Sequence, residues 1–213
     1  MKLVIGDKNY SSWSMRPWVL LTHFGVPFDE VLIELDRPDT KTSILAHSAS
    51  GKVPCLITDE SVAVWDSLAI AETLAERYPQ YAMWPADASA RARARSVSAE
   101  MHSGFGGVRE AMPMNIRASK PGGGATRDAL TDIARIDEIW RDCLAASGGP
   151  FLFGKFTIAD AMYAPVVMRF NSYQPALSDE AAAYAARVTA LPAVAAWIDG
   201  ARRETHVVPH DEI

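Results

Sequence analysis

The chain of 213 residues has only two cysteines, Cys55 and Cys143, far apart in sequence and without a Cys-x-x-Cys spacing. That excludes a disulfide framework and a zinc knuckle, and both thiols read as small buried apolar groups. The five histidines fall at no metal-ligating interval, and His206 and His210 are separated by Pro209 in a tail that need not be ordered, so no metal is expected. Neither a P-loop nor a dinucleotide-binding glycine pattern occurs. No apolar run approaches the roughly 18 residues of a membrane helix, and the one after Met1 is too short for a signal peptide. A cytoplasmic protein without membrane contact is therefore expected. With a net charge of -5 the chain has no basic excess to gather nucleic acid or anionic lipid.

What the chain does have is apolar content of 49%, enough to build a real core. Its distribution changes along the sequence. Residues 1–80 alternate strand and helix signals, with short β-branched runs at Lys2 to Ile5, Asp29 to Ile33, Cys55 to Thr58 and Val62 to Val64. A first helix carries Pro17 in its opening turn and ends at Gly25; another starts at Asp66-Ser67 and stops at Tyr78-Pro79. This order predicts a small thioredoxin-like α/β layer. Residues 81–87 read as a linker. From 88 to 213 alanine dominates and strand runs vanish, predicting an all-α domain with helices at 88–116, 125–146, 158–172, 179–189 and 192–203. Thr157-Ile158-Ala159-Asp160 is a capping box, a structural signal first.

Three short motifs carry the chemistry. Ser11-Ser12-Trp13-Ser14-Met15-Arg16 lies between the first strand and first helix; Lys52-Val53-Pro54-Cys55 precedes a strand; Asp66-Ser67 opens a helix. Their order and intervals resemble the glutathione-binding domain of the soluble glutathione transferases, and the serine cluster is most similar to the serine-type zeta class, which includes maleylacetoacetate isomerases. The stretch Gly154 to Ala161 resembles the capping motif of that family's helical domain. The resemblance implies a glutathione transferase fold, glutathione as co-substrate, a small electrophile as second substrate, and a homodimer.

It also assigns roles. Hydroxyls and a helix N-terminus aimed at sulfur favour the thiolate over a thiol of ordinary pKa near 8.5. Ser11 takes the place of the catalytic serine by alignment, with Ser12 and Ser14 as competitors; Ser14 also reads as an ordinary helix cap. Val53 is implied to pair its main chain with the cysteinyl unit, held by a cis bond to Pro54. Ser67 is implied to bind the γ-glutamyl carboxylate at a helix N-terminus and Asp66 the ammonium, although such a pair also caps many helices. Lys52, Asp39 and Lys41 are candidates for the glycyl end, or solvated charges. Arg16 is a structural salt-bridge partner, or helps fix the loop or an anionic substrate. Trp13, where the zeta class has cysteine, and Phe105, Arg109 and Met112 are candidates to line the electrophile pocket, though such a stripe also makes core.

The expected activity is attack of an activated glutathione thiol on an electrophile, ending in conjugation or in cis–trans isomerisation. The alternative is a transferase-like binding or scaffold protein without chemistry. A thiol-disulfide oxidoreductase would need a cysteine among residues 11–14, and none is there.

Overall fold

The computed structural model describes residues 1–213. Strands β1 (Lys2–Gly6) and β2 (Asp29–Ile33) pair in parallel; β3 (Cys55–Ile57) runs antiparallel to β1, and β4 (Ala63–Trp65) antiparallel to β3. The sheet order is β2-β1-β3-β4. Alternation along β1 splits its side chains between two layers. Leu3 and Ile5 join the main core with helices α1 (Ser12–His23) and α3 (Ser67–Arg77), whereas Val4 packs with Ile33, Cys55 and Ile44 beneath helix α2 (Thr40–Leu45). The N-terminal ends of α1 and α3 are thereby set beside one another.

Six helices follow: α4 (Ala88–Ser103), α5 (Gly106–Ala111), α6 (Arg127–Ser147), α7 (Ile158–Tyr173), α8 (Asp179–Thr189) and α9 (Pro192–Arg203). None is long and apolar enough to cross a membrane. Helix α7 packs against α1, α4 and α8, and every one of its residues except Asn171 is buried. Asp160 in its first turn is fully enclosed. Its Oδ2 accepts from the Thr157 N–H (2.8 Å) and hydroxyl (3.1 Å), and its Oδ1 from the Leu152 N–H (3.1 Å) and the Tyr184 hydroxyl (3.0 Å). Burial pushes its carboxyl up to about 6, against the pull of those four donors.

The single helix expected at 88–116 is broken. The chain leaves α4 at Gly104, and Phe105 takes a left-handed backbone, φ 60°. The Arg109 side chain then closes the end of α4, donating from Nε to the Gly104 carbonyl (2.9 Å) and from Nη2 to that of Met101. Asp132 accepts from the Val108 N–H at 3.0 Å and so holds the start of α5. At Gly107 a Cβ would lie 2.5 Å from the backbone of Asp128, so the glycine admits the start of α6. The tail beyond α9 is also docked: His206 Nε2 contacts the Leu35 carbonyl at 2.7 Å, and the Tyr10 hydroxyl donates to Glu212 at 2.5 Å.

Two stability outcomes follow from these contacts. Gly107→Ala overpacks the α5–α6 approach and costs about 1–3 kcal/mol in urea unfolding, while Gly106→Ala, with nothing within 4 Å of its added Cβ, stays within about 1 kcal/mol of the parent. Asp160→Asn leaves donors of the cap facing an NH₂ group and lowers stability by about 2–4 kcal/mol, read from the same denaturant curves.

Candidate active site

A cavity of about 450 Å³ opens between the sheet layer and α4, lined by Trp13, Ser50, Lys52, Val53, Pro54, Trp65, Asp66, Ser67 and His102. All three sequence motifs contribute. Val53–Pro54 is the one cis peptide bond in the chain. Asp66 has φ 74°, a left-handed conformation unusual for a residue with a side chain, and its Oδ1 caps α3 by accepting from the N–H groups of Leu68 (2.8 Å) and Ala69 (3.3 Å). That geometry turns the N-terminus of α3 and the Ser67 hydroxyl toward the cavity. A helix start with a hydroxyl at the cavity wall is suited to a carboxylate, and the Asp66 carboxylate to an ammonium.

The serine cluster is tightly wired. Ser11, not Ser14, is the N-cap of α1. Its hydroxyl accepts weakly from the Ser14 N–H (3.4 Å) and donates to Ser14 Oγ (2.7 Å), which also accepts from the Gly6 N–H (3.0 Å). Ser14 has no exposed surface, while Ser11 and Ser12 keep 6% and 5%. Ser14, expected to compete for a ligand thiol, lies beneath the loop and ties it to β1. Ser12 Oγ accepts from Arg169 Nη2 of α7 at 3.3 Å. No serine of the cluster lines the open cavity, and Trp13 alone of the cluster faces it.

Arg16 has no carboxylate partner, contrary to the ion pair considered for it. Its Nη1 donates to Ser67 Oγ at 3.2 Å, joining the starts of α1 and α3, and its buried Nε has no hydrogen-bond partner. Burial first, then the charges of Arg109 and Arg169, push the guanidinium down to about 9. Arg169 is likewise lowered, to about 10, by burial and Arg109. These three cations share one region without an ion-paired carboxylate.

Three residues the motif reasoning overlooked complete the cavity: Ser50, Trp65 and His102. His102 sets Nε2 3.1 Å from Asp66 Oδ2 and packs edge-on against Trp13, ring centroids 5.2 Å apart, with its Nδ1 buried and unpartnered. Burial lowers its pKa, with Asp66 opposing. Trp65 forms the outer wall, half exposed. His102 had a readable signal: it precedes Arg109 by seven residues, two helical turns in the single helix expected there.

Other expected residues lie elsewhere. Asp39 and Lys41 are not in the cavity, because α2 covers the opposite face of the sheet; Asp39 lines a shallow depression with Leu32, Arg37 and Ser43. Phe105 and Met112 are buried in the core, at 7% and 1% exposure. Met112 is used through its carbonyl, which accepts from Arg169 Nη1. Arg109 stands over the Trp13 ring at 4.7 Å, away from the cavity's open mouth.

Residues 10–77 match the family model described as "Glutathione S-transferase, N-terminal domain", and residues 90–200 match "Glutathione S-transferase, C-terminal domain". A probable maleylacetoacetate isomerase from Caenorhabditis elegans is 26% identical over 169 residues, 79% of this chain and 78% of that protein. The structure of a bacterial zeta-class maleyl pyruvate isomerase superposes with a TM-score of 0.73 at 23% identity, covering 97% of this chain and 100% of that one. A glutathione transferase homologue from Burkholderia, solved with bound glutathione, gives a TM-score of 0.72 at 24% identity over 94% of this chain and 97% of that one. With both halves of the chain matched to its models, the protein belongs to the glutathione S-transferase family, enzymes that take glutathione as co-substrate.

Proposed function

We propose that the chain is a glutathione-dependent isomerase acting on a small cis-alkene that bears carboxylates, as the names of its relatives suggest for them. The observation that carries this reading is the meeting of Lys52, Val53, Asp66 and Ser67 in one cavity against an arginine cluster that has no ion-paired carboxylate. Glutathione lies along the sheet edge: its γ-glutamyl carboxylate at Ser67 and the α3 N-terminus, its ammonium at Asp66, its cysteinyl unit on the Val53 main chain, and its glycyl end toward Lys52. The thiol then reaches the start of α1. There the Ser11 hydroxyl turns its proton from Ser14 Oγ to the sulfur, and the helix N-terminus adds its field. Ser12, held by Arg169, is the second donor available.

The chemistry is addition and elimination. The thiolate adds to one alkene carbon, and the electron pair moves onto the carbonyl conjugated with it. The former double bond is now single and rotates. Collapse of the enolate expels the thiolate and leaves the trans alkene, so glutathione is regenerated. Arg16, Arg109 and Arg169 supply positive potential for the substrate's carboxylates and the enolate oxygen, in a buried setting where charge counts for more than in water. The residues from 1 to 80 form the glutathione half and those from 88 to 213 the electrophile half. The working unit is a cytoplasmic homodimer, for which exposed Val62 and Trp65, beside and on edge strand β4, offer apolar surface to a second copy.

The first test is the thiolate absorbance of bound glutathione against pH. The bound thiol should titrate about 1–2 units below the ordinary value near 8.5. Ser11→Ala should return it most of the way and cut turnover on the order of 10²-fold. A shift lost in Ser12→Ala and kept in Ser11→Ala moves the role to Ser12. An unshifted thiol in the parent sinks the catalytic reading and leaves a binding protein. Ser67→Ala should raise the glutathione Kd about 10-fold with the thiol pKa little changed, by calorimetry, because it removes a carboxylate contact and spares the sulfur.

A further inference from the structure

Trp13 stands between the open cavity and the arginine cluster. Arg16 Cζ is 4.3 Å from its ring centroid and Arg109 Cζ 4.7 Å, and His102 closes a third side edge-on. Two cations on one indole repel each other, and neither has a carboxylate within ion-pair distance. Hydrogen bonds to Ser67 and to the carbonyls that end α4 anchor them, and the negative face of the ring offsets part of their charge.

Attraction to a ring face leaves hydrogen-bonding capacity over. Arg16 spends Nη1 on Ser67 and has Nε buried and unpartnered. Arg109 spends Nε and Nη2 on the carbonyls that end α4, and its Nη1 makes no protein hydrogen bond. The cluster thus keeps unspent N–H donors on two guanidiniums, fixed in place before any ligand arrives. Donors held at fixed positions bind a carboxylate without first losing side-chain freedom.

We propose that Trp13 is the specificity-determining residue of the electrophile side: its indole, lying against both guanidiniums, sets the spacing at which Arg16 and Arg109 receive a carboxylate. This rests on the isomerase reading for the site's location, and it deepens that reading by naming what selects the substrate. Without the indole the anchoring hydrogen bonds to Ser67 and the α4 carbonyls remain, but nothing offsets the repulsion between the two cations. Arg16 and Arg109 then separate, and discrimination between a charged electrophile and its neutral analogue falls.

The test reads binding alone. The protein is saturated with S-methylglutathione, which has no free thiol, and titrated calorimetrically with maleate and with dimethyl maleate, which share the cis alkene and differ in charge. The parent should bind maleate at least 10-fold more tightly than the diester. Trp13→Ala should bring the two within about 3-fold, and Trp13→Phe, which keeps a weaker aromatic face, should fall between. Equal affinities in the parent, or a preference for maleate kept undiminished in Trp13→Ala, would overturn the proposal. So would a loss of both ligands in equal proportion in the two variants, the mark of a purely structural residue. If Trp13→Ala does not fold, Trp13→Phe decides alone, by whether the maleate preference drops. Failure of the isomerase reading shows differently, as absence of trans product in a turnover assay while the charge preference in binding persists.

Discussion

The buried start of α7 is the constraint on which the rest of the molecule depends. A helix covered on all sides has no water to satisfy its first N–H groups, so the chain itself must supply acceptors. Asp160 does so, and it also collects the Leu152 N–H and the Tyr184 hydroxyl, drawing the loop before α7 and helix α8 to the same point. The cost is a carboxyl in a site that disfavours charge, offset by four donors. Because α7 packs on both α1 and α4, fixing its axis fixes the two walls of the cleft.

The same helix delivers the site's charge. Arg169, in the fourth turn of α7, reaches Ser12 at the start of α1 and the Met112 carbonyl after α5. Arg16 comes from α1 itself and touches Ser67 at the start of α3. Arg109 comes from α5, and its position depends on the break at Gly104 and Phe105 that turns α5 away from α4. Three cations from three helices therefore surround one indole and one pair of serines. Buried guanidiniums without carboxylates oppose folding. That they persist beside the cleft accords with a site that receives its negative charge from a ligand.

Much of the fold was legible because its signals are local. β-branched runs marked the strands, Pro17 and Gly25 bounded α1, and the Thr157 to Asp160 pattern marked the start of α7. The cavity residues Lys52, Val53, Pro54, Asp66 and Ser67 sit at strand and helix starts, so motif order alone placed them near one another. The break in the 88–116 helix was harder. Three glycines at 104, 106 and 107 signalled a weak helix, but whether they bend it or admit a neighbour depends on Asp128 and Asp132 of α6, more than twenty residues away.

The sequence by itself determined the family, the two-layer order of elements and most of the residues that line the cavity, because those are written in short-range pattern and in motifs a few residues long. Only the tertiary structure decided which serine is the cap and which is enclosed, that Asp39 and Lys41 lie away from the cleft, and that Met112 belongs to the core. It alone brought His102 to Asp66 and gathered Arg16, Arg109 and Arg169 around Trp13 and its neighbouring serines. Apart from Arg16 over Trp13, three positions away on α1, those contacts join residues 36 to 157 positions apart, and no local preference encodes them. They arise from packing α1, α4, α5 and α7 into one core, where side-chain volume and burial choose the neighbours.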